Sequence, residues 1–284
     1  MPKTIVLIHG AWLTPLAWEK FRARYEAKGF EVIAPPWPYE DVPLSELRRA
    51  PDPRIGRLTV RAIVDHYDAI IRALPESPII MGHSFGGLFT QLLLDRRLGA
   101  VGIAITPGAP AGIAPAPRTL LSALPVFTAW NGWNRVLTMS YSSFARGFAQ
   151  NLPEADKRAA FERYIAPTPG RIYYDGALGV GTAIVPNNPK RAPLLIVAGE
   201  EDRIVAPSMV RANYLKEQRN PSMTAFKSFP GRSHFLFAEP GWEEVADYVL
   251  DWAVAHARSP RGAAAQLKAQ AVEGHGTPAA PVSA

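Results

Sequence analysis

Ser84 sits between Gly82 and Gly86, and its surroundings give that spacing a meaning. Ile79, Ile80 and Met81 precede it as a short apolar run of the kind a buried central strand shows. Leu88, Phe89, Leu92 and Leu93 follow it at helical spacing. G-x-S-x-G between a strand and a helix holds a hydroxyl clear of the backbone at a helix N-terminus, where free N–H groups and the helix dipole favour developing negative charge. The glycines answer a steric need, because a strand that turns at once into a helix needs neighbours without side chains for its two arms to pass. A glycine-rich turn with an ordinary serine has the same local spelling; the strand before and the helix after separate the two. The chemistry such a serine performs is attack on a carbonyl, and the N–H of Phe85 is placed to be one oxyanion donor.

That chemistry calls for a second donor, a base and an acid. The strand over residues 4–8 ends in His9, Gly10, Ala11 and Trp12, a sharp turn that can direct the Ala11 N–H into a cleft, with His9 bracing the turn rather than acting as a base. The apolar run 193–198 leads into Gly199, Glu200, Glu201 and Asp202. A carboxylate just past a strand end lies at the edge where open parallel sheets bind ligands. Asp202 is the best placed of the three acids, and Glu200 and Glu201 are expected to be solvated. Among six histidines, His66, His256 and His275 read as solvated, and His83 is expected to point away across the bend. His234 alone occupies a loop after a final strand, downstream of both serine and acid, which gives the chain order Ser, Asp, His.

These residues need a scaffold of alternating strands and helices. Residues 4–8, 31–34, 79–81 and 100–105 read as strands, and 18–28 and 59–74 as helices, the first ended by Gly29 and the second capped by Thr59. The alternation predicts a parallel sheet with helices on both faces. It breaks at residues 106–191, where helical pieces at 119–124, 141–150 and 153–165 and dense aromatics predict a helical lid, some of whose aromatics line an apolar pocket. The α/β rhythm returns at residue 192 with a helix at 207–218, a strand at 224–229 and a final helix opened by Pro240. The expected organisation is a core of 1–105 and 192–258, a lid of 106–191 and a disordered tail of 259–284 rich in Ala, Pro and Gly.

Composition bounds the rest. The 284 residues are 48% hydrophobic and 20% charged, which is globular rather than disordered. A net charge of +6 with scattered arginines and no basic stripe argues against nucleic acid as a partner. The absence of cysteine rules out disulfides, zinc–thiolate sites and a thiol nucleophile, and suits a cytoplasmic enzyme. No apolar run is long enough to span a membrane, and the apolar start at residue 4 is too short for a signal segment.

Together the motifs HGAW, GHSFGG, GEEDRIV and GRSHF resemble the α/β-hydrolase superfamily over residues 4–258. The resemblance implies Ser84 as nucleophile, His234 as general base and then acid, Asp202 as the group orienting the imidazole, and Ala11 and Phe85 as the oxyanion donors. It implies no metal and no organic cofactor, and a small-molecule apolar ester as substrate. HGAW is similar to the lidded branch holding plant methyl esterases and hydroxynitrile lyases. Those lyases carry Thr after HG and Lys after the catalytic His, where this chain has Ala11 and Phe235. The usual first strands of the sheet are absent, so about six are expected. The implied activity is hydrolysis of a small to medium carboxylic ester through an acyl-enzyme. A cofactor-free perhydrolase or C–C bond hydrolase shares the same triad, and a non-catalytic receptor would use the same pocket.

Overall fold

Continuous apolar runs build the sheet. In the computed structural model, which describes residues 1–259, the strands are β1 (Thr4–Ile8), β2 (Glu31–Ile33), β3 (Ile79–His83), β4 (Val101–Ile105), β5 (Val136–Leu137), β6 (Thr168–Pro169), β7 (Leu194–Gly199) and β8 (Thr224–Phe229). Six of them form one parallel sheet in the order β2-β1-β3-β4-β7-β8, the number expected from the missing first strands. The four inner strands are buried along their whole length, as parallel strands covered on both faces must be. The edge strands β2 and β8 are only partly buried.

The helices are α1 (Glu19–Ala27), α2 (Leu44–Arg49), α3 (Val60–Arg72), α4 (Phe85–Asp95), α5 (Pro117–Phe127), α6 (Tyr141–Ser143), α7 (Glu154–Tyr164), α8 (Arg171–Leu178), α9 (Pro207–Glu217) and α10 (Trp242–His256). Sequence signals placed several of their ends. Thr59 Oγ1 accepts from the Ala62 N–H to start α3, whose buried stripe is Val60, Ile63, Val64, Tyr67 and Ile71. Gly29 follows α1 with φ +86°, a conformation that favours glycine. The chain leaves β1 toward one side of the sheet and β3 toward the other, so the crevice between these two strands is the switch point where open sheets bind ligands.

Residues 106–191 connect β4 to β7. The expected piece at 119–124 is longer, spanning α5, and contains Pro125 two residues before its end. The piece at 141–150 is the single turn α6 followed by a wide π-type turn at Phe144–Phe148. Helix α8 and the antiparallel β5–β6 pair went unforeseen, and the final helix starts at Trp242 rather than Pro240. Asp175 on α8 ties the connection to the core: its Oδ2 accepts from the Val60 N–H at 3.0 Å and its Oδ1 from Arg171 Nε at 2.9 Å. The Ala166 N–H donates to the Trp12 carbonyl at 2.8 Å. No helix among the described residues is long and apolar enough to cross a membrane. The expected tail lies outside the described residues except for Ser259, and His275 lies outside them as well.

Candidate active site

The β1–β3 register pairs Ile8 with Gly82, so the two strand ends emerge side by side, His9 to Ala11 against His83 to Phe85. Ser84 occupies the bend at φ 56° and ψ −121°, a strained conformation for any residue but glycine. Its N–H donates to the Ile105 carbonyl at 3.0 Å, and its carbonyl accepts from Gly87, Leu88 and Gly108. The glycines are required by contact. A Cβ on Gly82 would lie 2.0 Å from the Gly86 carbonyl oxygen, and one on Gly86 would lie 2.1 Å from the Ile8 oxygen. A Cβ on Gly10 would meet the Ser84 Cβ at 2.7 Å, so the HG turn is wedged directly against the bend.

Asp202 and His234 arrive from the far side of the sheet. Both are fully buried, and Asp202 Oδ2 accepts from His234 Nδ1 at 2.6 Å. The other oxygen of Asp202, Oδ1, accepts from the Ile204 and Val205 N–H groups at 2.7 and 2.9 Å, so the carboxylate is held from both ends. An accepting carboxylate fixes Nδ1 as the protonated ring nitrogen and leaves Nε2 free; Nε2 is buried without a hydrogen-bond partner. Gly199 lets the His234 loop come close, since a Cβ there would sit 2.6 Å from the Arg232 oxygen. Glu200 and Glu201 are exposed, as expected.

His83 departs from its expected place. It does not point away: its Nε2 donates to the His234 carbonyl at 2.9 Å, and the two rings lie 4.5 Å apart. That bond brings the His234 loop against the residue preceding Ser84. Burial holds the His83 imidazole well below its ordinary pKa, so it stays neutral beneath the loop. His66 and His256 are also less solvated than expected, each half-buried with a ring nitrogen on a backbone carbonyl.

The Phe85 N–H opens α4, and neither it nor the Ala11 N–H has a hydrogen-bond partner among the described residues. His9 is fully buried and donates from Nδ1 to the Gly10 carbonyl at 2.9 Å, bracing the turn as expected. Desolvation lowers its pKa to about 4, which makes it neutral.

Two acids escaped the sequence reading. Glu239 accepts both the N–H and the hydroxyl of Ser233, at 3.0 and 2.6 Å, and so braces the loop that carries His234. Glu40 lies buried beside His9. The available signal was an acid closing an apolar or aromatic run, FLFAE in one case and PPWPYE in the other.

A cavity of about 170 Å³ opens beside Ser84 and Phe85. The loop and helices of residues 106–191 form most of its wall, with Ile113, Leu120, Phe127, Tyr173 and Gly176 among the lining. Of the aromatics in residues 106–191, Phe127 and Tyr173 reach it, while Trp130 is exposed. Among the described residues no group of three or more acids and histidines is placed to hold a metal ion.

The sequence profile described as the alpha/beta hydrolase family matches residues 5–248. No curated protein matches the chain. Among solved structures it is similar to the monoacylglycerol lipase of Paleococcus ferrophilus, at 23% identity and a TM-score of 0.65 over 90% of this chain and 96% of that one. It is also similar to a pyrethroid hydrolase from Sphingobium faniae JZ-2, at 19% identity and a TM-score of 0.65 over 90% and 98% of the two chains. A methylesterase from Arabidopsis matches at 15% identity and a TM-score of 0.64 over 88% and 98%. At these identities the likeness is one of fold.

Proposed function

The chain belongs to the alpha/beta hydrolase family, and from that premise we propose that it is a serine hydrolase cleaving a small to medium apolar carboxylic ester through an acyl-enzyme. The observation that carries this reading is the buried 2.6 Å contact between Asp202 and His234, on a ring whose other nitrogen is unengaged and whose loop is bonded to the neighbour of Ser84. In the catalytic cycle His234 Nε2 takes the Ser84 proton as Oγ bonds to the ester carbon. The carbonyl electrons move onto oxygen, where the Ala11 and Phe85 N–H groups hold the charge, each contributing about 3 kcal/mol to the barrier reduction. Collapse of this intermediate breaks the bond to the alcohol, and His234 returns the proton to the leaving oxygen. Water, deprotonated by the same nitrogen, then releases the acid and regenerates Ser84. Catalytic hydrogen bonds are often long before substrate arrives, which fits a His234 Nε2 without a partner.

Residues 106–191 act in this reading as the lid that shapes the acyl site, and the compact apolar cavity favours a short acyl group. The similar structures described as a monoacylglycerol lipase and a methylesterase point the same way. The test is a series of p-nitrophenyl esters of graded chain length together with a fluorophosphonate probe. We expect turnover and single-site labelling, both lost in Ser84→Ala, with kcat/KM down roughly 10⁴–10⁶-fold and the thermal midpoint preserved. Turnover that survives in Ser84→Ala removes the assignment. A folded wild-type protein that neither turns over nor labels is a receptor.

A further inference from the structure

Glu40 is buried and has no role in the mechanism above. It belongs to the loop after β2, which Tyr67 anchors on α3 by donating to the Pro35 carbonyl at 2.7 Å. Trp37 of the same loop stacks on the His9 ring at 4.7 Å and 21°. Glu40 Oε2 lies 3.6 Å from His9 Nε2, and neither atom has a hydrogen-bond partner. The loop therefore closes over His9 with one aromatic face and one carboxyl group.

The chemistry of the contact is constrained. The Gly10 carbonyl can only accept, so His9 Nδ1 carries the proton and Nε2 of the neutral ring presents a lone pair. Only a protonated carboxyl can donate to that lone pair. Burial raises Glu40 well above the ordinary carboxyl range, opposed by the backbone N–H of Trp37, while burial lowers His9 to about 4, so burial favours the neutral form of both groups. The other titratable groups within electrostatic reach are Tyr67, which senses Glu40, and His83, which senses His9. Burying a carboxyl group is costly where an apolar side chain would pack as well.

The Gly10 carbonyl that His9 holds is one end of the Gly10–Ala11 peptide unit. The other end is the Ala11 N–H. A peptide is planar and trans, so fixing its carbonyl fixes its N–H in the opposite direction. A donor on the carbonyl also polarises the unit and strengthens the N–H as a donor. We propose that Glu40 is a positioning residue which, through His9, locks the Gly10–Ala11 peptide with its N–H turned to the bend at Ser84. The proposal rests on the serine hydrolase reading, in which that N–H is an oxyanion donor.

The test compares Glu40→Met, which fills the space without a donor, with Glu40→Gln, whose amide N–H can donate to Nε2. Steady-state kinetics on a p-nitrophenyl ester are paired with inhibition by a trifluoromethyl ketone, whose serine adduct places an oxyanion in the same hole. We expect Glu40→Met to lower kcat roughly 10–100-fold with KM within about threefold, and to weaken the ketone by the same factor. Glu40→Gln restores both to within about threefold of wild type. A Met variant with unchanged kcat, or a Gln variant as impaired as Met, overturns the proposal. Should Glu40→Met fail to fold, His9→Phe against His9→Asn asks the same question, with the Asn amide standing in for Nδ1–H; equal kcat in those two variants is then the overturning result. Failure of the underlying reading is separate: wild-type turnover would be absent or independent of Ser84, and the proposal falls with it.

Discussion

The sheet and the segment that interrupts it divide the work between them. In the proposed mechanism the sheet supplies the reacting groups from tightly packed strand ends: Ser84 after β3, Asp202 after β7 and His234 after β8, all buried. Residues 106–191 supply the walls, and their packing is loose by comparison. On α5, Leu121 is 70% exposed and Leu124 50%, and Trp130 beyond it is 88% exposed. The inner strands expose nothing. Bond-breaking geometry fails with small displacements and is built where neighbours hold it on all sides. Selectivity needs only a wall of about the right shape.

The sharpest way to break this contrast is to put the same methyl group into both regions. Gly86→Ala places a Cβ 2.1 Å from the Ile8 carbonyl oxygen, a backbone atom that cannot yield without moving β1. We expect this variant to lose the folded state or most of its thermal stability. Gly176→Ala, on α8, places a Cβ whose nearest neighbour beyond its own stretch of helix is the ring of Phe85 at 3.8 Å, an ordinary contact. It should fold like wild type and shift ester preference toward shorter acyl chains. Circular dichroism melts of the two proteins decide the matter, and equal midpoints would mean that the bend at Ser84 is not as tight as described.

Next in size is Asp202, the orienting acid of the proposed mechanism. Asp202→Asn keeps the shape of the side chain but offers His234 Nδ1 either a weaker acceptor or an amide donor. A fall in kcat of roughly 10³–10⁴-fold is expected, with KM little changed. On the other side of the comparison, Phe127→Ala enlarges the cavity and should raise kcat/KM for longer acyl chains relative to acetate by roughly tenfold. A series of esters in which Phe127→Ala and wild type keep the same ranking would remove the segment's role in selectivity.

The same division decides what could be read from the sequence. A parallel strand buried on both faces is a continuous apolar run, so β1, β3, β4 and β7 stood out, and with them the turns that carry Ser84, Ala11 and Asp202. His234 needed only its order along the chain. Residues 106–191 have no such grammar. Helix α8 reads RIYYDGAL, whose mixed pattern suits an element bridging core, cavity and solvent at once, and β5 and β6 are two residues each. The orientation of His83 was lost for a different reason. Whether a ring turns away from or under a distant loop depends on where that loop returns, 151 positions later in the chain. Glu40 was hidden likewise, because its partner precedes it by a strand and a helix.

The smallest effect tests whether buried charge at the opposite end of the sheet is insulated from the site. Arg191 and Glu217 are both buried, with Arg191 Nε 3.6 Å from Glu217 Oε2, and Arg191 donates to the carbonyls of Ala192, Ser222 and Met223 and to Thr224 Oγ1. A nearby guanidinium alone would lower the pKa of Glu217. Desolvation outweighs it and raises the group to about 7. The folded state then binds a proton that the unfolded chain gives up near its ordinary value, so Glu217 contributes stability below that value and loses it as pH rises toward 7. His9 works in the opposite sense, because a folded-state pKa of about 4 costs stability as pH falls below the ordinary histidine range. Glu217→Gln removes the first effect and leaves the second. The midpoint of the variant minus that of wild type should therefore grow by a few degrees between about pH 5 and pH 7, at roughly 2–4 °C per kcal/mol for a chain of this size. The kcat of the variant should follow the wild-type pH profile throughout. A midpoint difference that stays flat or shrinks across that window contradicts the raised pKa, and an altered kcat profile would join two ends of the sheet that the structure keeps apart.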